Sequence, residues 1–310
     1  MPSIDELKQM QSLPLKLKIK KTEQRVIEWY ESHNGQVYVA FSGGLDSTVL
    51  VNIVHGLYPN VPLVFSNTGL EYPEIVEFVK SHPQLVIVRP EHSYKWVVDN
   101  CGYPVVSKRV SRYVRDCQCA SDKNIASVNL RMTGLNRKGI YCPSMKLPEK
   151  WKKLINAPFK VSEQCCDYIK KRPLDKFSKE SCSAPMTGEL AEESKMREKT
   201  YLKQGCNFFG AKHKSTPLGF WTHQDILEYI VTYKIPFCKI YGDIVQNPES
   251  KKYETTGEKR TGCYACMFGV HLERGGNRFT RMKITHPTLY DICINKFGQG
   301  KILEYIGVEY

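Results

Sequence analysis

The sequence contains no long apolar segment. None of its 310 residues belongs to a run approaching the about 18 consecutive apolar side chains of a membrane-spanning helix, so we expect no membrane partner. The first six residues, MPSIDE, also lack the basic and apolar segments of an export signal. Together these absences predict a cytoplasmic protein.

Histidine is scarce and cysteine is abundant. The eight histidines form no HxH or HxxxH pair, so we assign none of them as a metal ligand. Twelve cysteines in a chain without an export pattern favour reduced thiols or metal ligands over disulfides.

Acidic residues are few relative to basic ones. The chain carries 45 Lys and Arg against 32 Asp and Glu, and residues 105–175 alone hold 16 against 6. This excess is compatible with a solvated surface that contacts a small anionic nucleotide, and equally with a surface that binds the nucleic-acid backbone. The candidate nucleic-acid contacts are Lys108, Arg109, Arg112, Arg137, Lys138, Lys150, Lys152 and Lys153.

Residues 42–48, SGGLDST, directly follow the apolar run 37–41 and predict a strand, a glycine turn and a helix start. Two glycines let successive N–H groups point into one concavity, and the helix dipole adds positive charge there. Asp46 and Ser47 are expected to cap the helix. The lysine of the GxxxxGK[ST] motif is missing, so this is not the ordinary P-loop. The expected phosphate contacts are Ser42, Gly43, Gly44, Leu45, Asp46, Ser47 and Thr48.

Strand and helix patterns alternate after this loop, which predicts an α/β fold with a parallel twisted sheet and helices on both faces. Strands are predicted at 36–41, 62–66, 85–89 and 184–188, and helices at 46–57, 72–81, 92–101 and 190–204. We predict N-terminal helices in 1–35, a nucleotide-binding domain in 36–235 with a basic insertion at 104–160, and a small cysteine-rich C-terminal region in 236–310.

Three further motifs fall at expected strand ends or helix starts: residues 65–74, 187–197 and 217–226. Ligands of parallel sheets bind at the carboxyl ends of strands, so the first two are candidate site segments. Within 187–197, Glu193 and Arg197 have the i, i+4 spacing of a simple ion pair on a helix surface.

These motifs, in this order, resemble the phosphoadenosine phosphosulfate (PAPS) reductase family over roughly residues 36–270. The 42–48 loop resembles the PP-loop of enzymes that split ATP between its α and β phosphates. Asn67 stands where the family has an aspartate. The resemblance implies an adenine-nucleotide α-hydrolase-like fold that binds ATP with Mg²⁺. It also implies further nucleotide contacts at Ser66, Asn67, Thr68, Gly69, Gly188, Glu193 and Ser194, and catalytic roles for Ser42, Asp46, Ser47 and Arg197.

Two cysteine pairs, Cys165-Cys166 and Cys263-x-x-Cys266, form the expected metal site. Adjacent cysteines reach one tetrahedral ion poorly but can reach two irons of one cubane. The arrangement resembles the [4Fe–4S] site of the adenylylsulfate reductases within the family. Zinc or unliganded thiols remain alternatives. Cys117, Cys119 and Cys142 lie in the basic segment, where cations lower a thiol pKa, and are candidates for a reactive thiol.

Departures from the family indicate the function. The C-terminal segment 300–310 contains no nucleophilic cysteine, and Leu190 and Ala191 replace the family's paired arginines. The pattern resembles relatives that adenylate an acceptor oxygen for sulfur replacement, such as DNA phosphorothioation ATP pyrophosphatases. A nucleic-acid acceptor and a cysteine-desulfurase sulfur donor are the implied partners. The alternatives are a sulfonucleotide reductase and a non-catalytic nucleotide-dependent nucleic-acid-binding module.

Overall fold

The computed structural model describes residues 2–211 and 213–310. The chain folds into two compact units, each assembled from three separate segments. The sheet unit comprises the described residues of Met1–Asn67, Glu71–Pro90 and Arg172–Thr261. The cysteine unit comprises Thr68–Leu70, Glu91–Lys171 and Gly262–Tyr310.

The sheet unit contains one six-stranded sheet flanked by helices. The strands are β1 (Val37–Ala40), β2 (Leu63–Ser66), β3 (Leu85–Val88), β5 (Ala184–Thr187), β6 (Asn207–Phe208) and β7 (Lys214–Ser215). Strand β4 (Val105–Val106) belongs to the cysteine unit. Their order is β3-β2-β1-β5-β7-β6, with parallel pairing everywhere except between β6 and β7. The expected α/β fold with a mainly parallel sheet is therefore confirmed.

The core of this unit lies on the central strands. Val39, Leu63 and Met186 sit on the three neighbouring strands β1, β2 and β5, and are fully buried. Strands buried in this way read as continuous apolar runs, which is why β1 and β2 were predictable within a residue or two. The edge strand β6 and its neighbour β7 were not predicted, because two-residue strands carry no periodicity.

Helices of the sheet unit connect the strands. They are α1 (Ile4–Gln11), α2 (Leu15–Ser32), α3 (Leu45–Leu57), α4 (Pro73–Lys80), α8 (Arg172–Ser181), α9 (Lys195–Gln204) and α10 (His223–Tyr233). A two-stranded hairpin, β8 (Ile244–Gln246) with β9 (Tyr253–Thr255), lies in the segment 236–310, for which no strand was predicted. Lys18 on α2 is buried and forms an ion pair with Asp225 of α10 at 2.5 Å. This pair and the capping of α10 by Thr222 give the 217–226 motif a structural role.

The cysteine unit is mostly helical. Its elements are α5 (Tyr94–Asn100), β4 (Val105–Val106), α6 (Lys108–Gln118), α7 (Ile125–Thr133), β10 (Met267–Phe268), α11 (Arg278–Thr285), α12 (Pro287–Asp291) and α13 (Gln299–Ile306). Strands β4 and β10 pair in parallel. The basic segment 104–160 thus contains two regular α-helices despite its weak periodicity. Across the described ranges, none of the helices has the length and apolar character needed to cross a membrane.

Candidate functional site

The turn between β1 and α3 is built around a glycine. Gly43 has a φ of +72°, and a Cβ there would lie 2.7 Å from Val79 Cγ2 and 3.0 Å from Ile75 Cγ2. A larger residue is therefore excluded both by backbone conformation and by contact with α4. The strand–turn–helix geometry expected for residues 42–48 is present in the structure.

The hydroxyl groups of the loop are not equivalent. Ser47 and Thr48 are buried, and each donates a hydrogen bond to the Gly44 carbonyl at 2.9 Å. Ser42 is exposed, lies 3.0 Å from Ser47 Oγ, and accepts from the Gly44 N–H at 3.3 Å. Ser42 therefore presents the accessible hydroxyl of the loop.

The helix cap differs from our expectation. Gly44 is the N-cap residue of α3, and within the described residues no side chain caps this helix. The prediction that Asp46 and Ser47 cap it was wrong, because both lie inside the first turn and the Ser47 hydroxyl is committed to a carbonyl. Two main-chain N–H groups of the first turn have polar partners nearby, Leu45 N–H at the Tyr241 hydroxyl and Asp46 N–H at its own carboxylate. An anion that binds at this turn would replace these partners.

Asp46 is a buried carboxylate beside this turn. Burial raises its pKa to about 6, although the positive charges of Arg197 and Arg260 oppose the rise. Within the described residues, its Oδ1 atom is buried and has no hydrogen-bond partner. Such an atom is costly unless a ligand supplies the missing contact, and a carboxylate oxygen suits a hard cation such as Mg²⁺.

Gly188 follows β5 and lies against the start of α3. A Cβ at this position would approach Asp46 O and Ser47 N to 3.0 Å. The end of β5 thus meets the loop at close range, as expected for a motif at the carboxyl end of a neighbouring strand.

Glu193 lies between two cations. It forms ion pairs with Arg197 and, at 3.6 Å, with Arg260. It also accepts a hydrogen bond from the Leu190 N–H at 3.1 Å. The i, i+4 pair expected from the sequence is therefore present, but it belongs to a cluster that also holds the Asp46 carboxylate in a positive field. Ser194 caps α9 by accepting from the Arg197 N–H.

Three residues near the loop were missed by sequence reasoning: Arg260, Tyr241 and Thr261. The hydroxyls of Tyr241 and Thr261 share a hydrogen bond, and a Cβ at Gly44 would lie 3.5 Å from the Tyr241 hydroxyl. Burial raises the pKa of Tyr241 to about 12, the Thr261 hydrogen bond lowers it, and the Asp46 charge raises it. They lie roughly 200 residues downstream, Arg260 and Thr261 just before the Cys263-x-x-Cys266 motif, and no sequence signal joined them to the loop at 42–48.

The turn after β2 divides between the two units. Ser66 and Asn67 are half-buried at the strand end in the sheet unit, where the Asn67 N–H donates to Val88 O at 2.9 Å. Thr68 is buried and Gly69 is exposed in the cysteine unit. Their contact with a nucleotide stays a prediction.

The loop from Cys263 to Cys266 is anchored inside the cysteine unit. The Tyr264 N–H donates to Leu70 O at 2.9 Å, and its hydroxyl donates to Gly69 O at 3.3 Å. The Cys266 N–H closes the loop by donating to Cys263 O at 3.0 Å.

The other three predicted ligand cysteines all affect the pKa of Cys165. Burial raises the pKa of the Cys165 thiol, and Cys166, Cys263 and Cys266 raise it further, so these four sulfur atoms lie close enough to interact. The positive charge of Lys170 opposes this rise. Within the described ranges, no group of three or more acidic, histidine or cysteine side chains has the arrangement of a site for a single metal ion.

A cation and a buried hydrogen-bond network support this loop. Burial raises the pKa of Cys266, and Arg278 opposes that rise while donating to Cys266 O at 3.1 Å. The amide of Gln299, which is fully buried, donates to Tyr94 at 2.6 Å and to Ala265 O at 2.7 Å. Cysteine thiols that lie beside cations suit an anionic thiolate-ligated cluster.

Among the three candidate reactive thiols, the pKa of Cys117 shifts in the direction opposite to our expectation. Burial raises the pKa of Cys117, and Asp116 raises it further, while Arg131 opposes the rise. The expectation that neighbouring cations would lower this pKa was therefore wrong for Cys117, since burial and the adjacent carboxylate outweigh them. Cys119 is exposed and Cys142 is half-buried.

The eight candidate nucleic-acid contacts all lie in the cysteine unit. Seven of them are exposed, and Lys152 is half-buried with an ion pair to Glu149 at 2.9 Å. Lys153 donates to Tyr305 O at 2.8 Å. These contacts reduce the number of cations that are available to an external anion.

Comparison with known proteins finds one matching family model and several similar proteins. The family model described as phosphoadenosine phosphosulfate reductase domain matches residues 36–104 and 122–267, more than half of the chain. An uncharacterised protein of Methanocaldococcus jannaschii is 21% identical over 286 residues, which are 90% of this chain and 53% of that protein.

Two relatives are named as enzymes. A phosphoadenosine 5'-phosphosulfate reductase of Klebsiella pneumoniae is 25% identical over 31% of this chain and 41% of that enzyme. An adenosine 5'-phosphosulfate reductase of Lysinibacillus sphaericus is 22% identical over 70% of this chain and 72% of that enzyme. The chain spans about half the length of the archaeal relative and less of the Klebsiella enzyme.

A solved structure with similarity to the chain is that of phosphoadenylyl-sulfate (PAPS) reductase from Candida auris, in complex with phosphate. It shows 14% identity and a TM-score of 0.37, over 77% of this chain and 91% of that chain.

Proposed function

The chain belongs to the phosphoadenosine phosphosulfate reductase domain family, and from this membership we propose that it cleaves ATP between the α and β phosphates to activate an acceptor for sulfur transfer. The observation that carries the proposal is the loop at residues 42–48. There, Ser42 is exposed and can donate its hydroxyl to a phosphate, beside the N-terminus of α3. The Asp46 Oδ1 atom, which has no hydrogen-bond partner within the described residues, can bind the Mg²⁺ that accompanies a polyphosphate.

The residues after β5 favour ATP over a sulfonucleotide. Leu190 and Ala191, which replace the family's paired arginines, are both buried. Apolar side chains there supply no hydrogen bonds to an additional sulfate or phosphate, and losing two guanidinium donors would cost several kcal/mol of anion binding.

The chemistry follows from the groups around the loop. An acceptor oxygen attacks the α phosphorus, the bond to the bridging oxygen breaks, and pyrophosphate leaves with the electron pair. Loop N–H groups and Ser42 hold the departing pyrophosphate, and Arg197 and Arg260 offset the negative charge that builds up. When bound, Mg²⁺ shares that charge, with Asp46 as its protein ligand.

Sulfur transfer completes the proposed reaction. The terminal sulfur of a persulfide on a cysteine desulfurase displaces AMP from the acceptor, and a thiol reductant then cleaves the remaining S–S bond. We propose nucleic acid as the acceptor, as in DNA phosphorothioation, and the cytoplasm as the compartment.

The four cysteines are the proposed ligands of a [4Fe–4S] cluster, with Zn²⁺ as the alternative. Cys165 is buried and the other three are half-buried, and the nearby positive charges of Lys170 and Arg278 support an anionic thiolate centre. When bound, such a cluster supplies electron transfer or electrostatic stabilisation. Arg278 and Gln299 orient the Cys263–Cys266 loop around it.

Product identification tests the proposal. ATP should yield AMP and pyrophosphate, and Ser42→Ala should reduce their formation about 100-fold or more. Ser93→Ala is the matched control, since it removes a helix-capping hydroxyl at α5 in the other unit. Formation of ADP and phosphate, or equal turnover by Ser42→Ala, would contradict the proposed cleavage.

A sulfonucleotide reductase is the second candidate. It is favoured by the Lysinibacillus sphaericus relative, which aligns over 70% of this chain. Its nucleophile would have to be a cysteine outside the C-terminal segment, such as Cys293 or Cys142. Cys293 is fully buried, and burial raises its pKa to about 12, which disfavours the thiolate. Thioredoxin-dependent sulfite release would identify this activity.

A further inference from the structure

Residues 134–142 form a tight hairpin after α7 in the cysteine unit. The Cys142 N–H donates to Gly134 O at 2.7 Å, and Leu135 and Tyr141 form an antiparallel bridge. Gly134 has a φ of +83°, and a Cβ there would collide with the Tyr141 ring at 2.6 Å. The ring thus lies over the glycine at the base of the hairpin.

The turn of this hairpin is held by Asn136. Its N–H donates to Ile140 O at 3.0 Å, and its side-chain oxygen accepts from the N–H groups of Lys138 and Ile140 at 2.9 and 3.0 Å. Gly139 has a φ of +75°, as a three-residue hairpin loop requires at its last position. The backbone is therefore ordered by its own hydrogen bonds.

The ordered backbone nevertheless exposes its apolar side chains. Tyr141 is 57% exposed, Ile140 56% and Leu135 45%. Three more large apolar side chains of the adjoining segments are exposed: Ile125, Met132 and Met145. We call the three side chains of the hairpin, Leu135, Ile140 and Tyr141, the apolar ridge. Three large apolar side chains exposed on one short hairpin make it a candidate binding surface.

The hairpin tip is basic. Arg137 and Lys138 form it and are both exposed. Two other basic residues of the adjoining segments are already paired, Arg131 with Asp116 at 3.2 Å and Lys146 with Glu149 at 3.2 Å. An exposed aromatic ring beside two cations complements a nucleotide, which presents a flat base next to a phosphate. The tip therefore favours nucleic acid as the ligand.

We propose that this hairpin binds unpaired nucleotides of the nucleic-acid acceptor. Tyr141 stacks on a base with Ile140 beside it, and Arg137 and Lys138 contact the flanking phosphates. This inference rests on the proposed function for the identity of its ligand. It adds a preference for single-stranded or distorted sites, because a paired base presents no free face to a side chain.

The test measures the affinity of the protein for dye-labelled single strands and for duplexes of the same sequence. Both DNA and RNA are used, and each affinity is measured across a salt series. Tyr141→Ala should weaken single-strand binding about tenfold or more without changing the salt slope, and Tyr141→Phe should restore it. Arg137→Gln with Lys138→Gln should reduce the slope by about 1.5 units. The matched controls are Tyr233→Ala, an exposed tyrosine of the sheet unit, and Lys251→Gln with Lys252→Gln.

The inference would be overturned if Tyr141→Ala bound single strands as tightly as the parent does, or if the parent preferred duplex. It would also be overturned if the hairpin variants lost self-association or vesicle binding and kept nucleic-acid binding. Pyrophosphate release from ATP is measured in parallel on every variant. If the parent released no pyrophosphate, the proposed function would be overturned. If release were normal and the hairpin variants left single-strand affinity unchanged, only this inference would be overturned.

Discussion

Asp46 combines a buried carboxylate with two nearby cations in the first turn of α3. Its folded-state pKa of about 6 exceeds the ordinary value of 3.8, so the folded protein binds a proton more tightly than the unfolded chain does. Stability contributed by this residue therefore falls as the pH rises from about 4 to about 6, and it stays low above that range. A residue kept at such a cost is a functional candidate.

Asp46→Asn should separate stability from function. Because asparagine mimics the neutral acid, the free energy of unfolding at pH 7 should rise by about 1–3 kcal/mol, and the gain should vanish near pH 4. Pyrophosphate release should be lost at the same time. Chemical denaturation between pH 4 and pH 7, together with an activity assay, measures both effects. A variant that is destabilised at pH 7 would instead assign Asp46 a structural role.

Gly188 tests the close approach of β5 to the loop. Gly188→Ala places a Cβ 3.0 Å from main-chain atoms of Asp46 and Ser47, so it should displace the loop. We expect a loss of stability of about 1–3 kcal/mol and at least tenfold weaker ATP binding. Isothermal titration measures the affinity.

Gly56→Ala is the matched control for this prediction. Gly56 lies in the same helix, α3, and a Cβ there meets nothing within 4 Å. It should stabilise the protein by about 0.5–1 kcal/mol and leave ATP affinity unchanged. Equal effects of the two alanines on affinity would show that the contact at Gly188 does not matter.

Among the elements, the Cys263–Cys266 loop carries two of the four proposed cluster ligands. Cys266→Ser should remove the brown colour of anaerobically prepared protein and reduce its content from about four irons per chain. It should also lower the thermal stability, since metal binding and folding are coupled. Cys182→Ser, at an exposed cysteine of the sheet unit, is the control. Anaerobic protein that is colourless and contains zinc would contradict the cluster.

The elements also show what could be predicted from the sequence. Strands β1, β2 and β5 and the turn at 42–48 were predictable, because buried strands and glycine turns have local signatures. Helix α6 was not, although Val110, Tyr113 and Val114 are buried at helical spacing. Basic residues between them obscured that pattern.

The site was only partly predictable for a different reason. Motifs in the sequence singled out Gly188 at the end of β5 and Arg197 in helix α9. Arg260, Tyr241 and Thr261 come from irregular segments, which reach the loop only through tertiary packing. Such positions carry no periodicity and no fixed spacing from the motif they approach.

For the whole molecule, the net charge of +13 predicts salt-dependent binding of nucleic acid. Lys150, Lys152 and Lys153 together would change the salt slope by up to about three units if all three met phosphates. Because Lys152 pairs with Glu149 and Lys153 donates to Tyr305 O, we expect a change of about one unit in the triple glutamine variant. Binding measured across a salt series checks this, and a change near three units would show that both contacts break on binding.

We propose that this protein consumes ATP rather than a sulfonucleotide. The most direct test incubates anaerobically purified protein separately with ATP, with adenosine 5'-phosphosulfate and with its 3'-phosphorylated form, in the presence of reduced thioredoxin, and assays pyrophosphate and sulfite together. We predict pyrophosphate from ATP and no sulfite from either sulfonucleotide. Sulfite from a sulfonucleotide, with no pyrophosphate from ATP, would contradict the account.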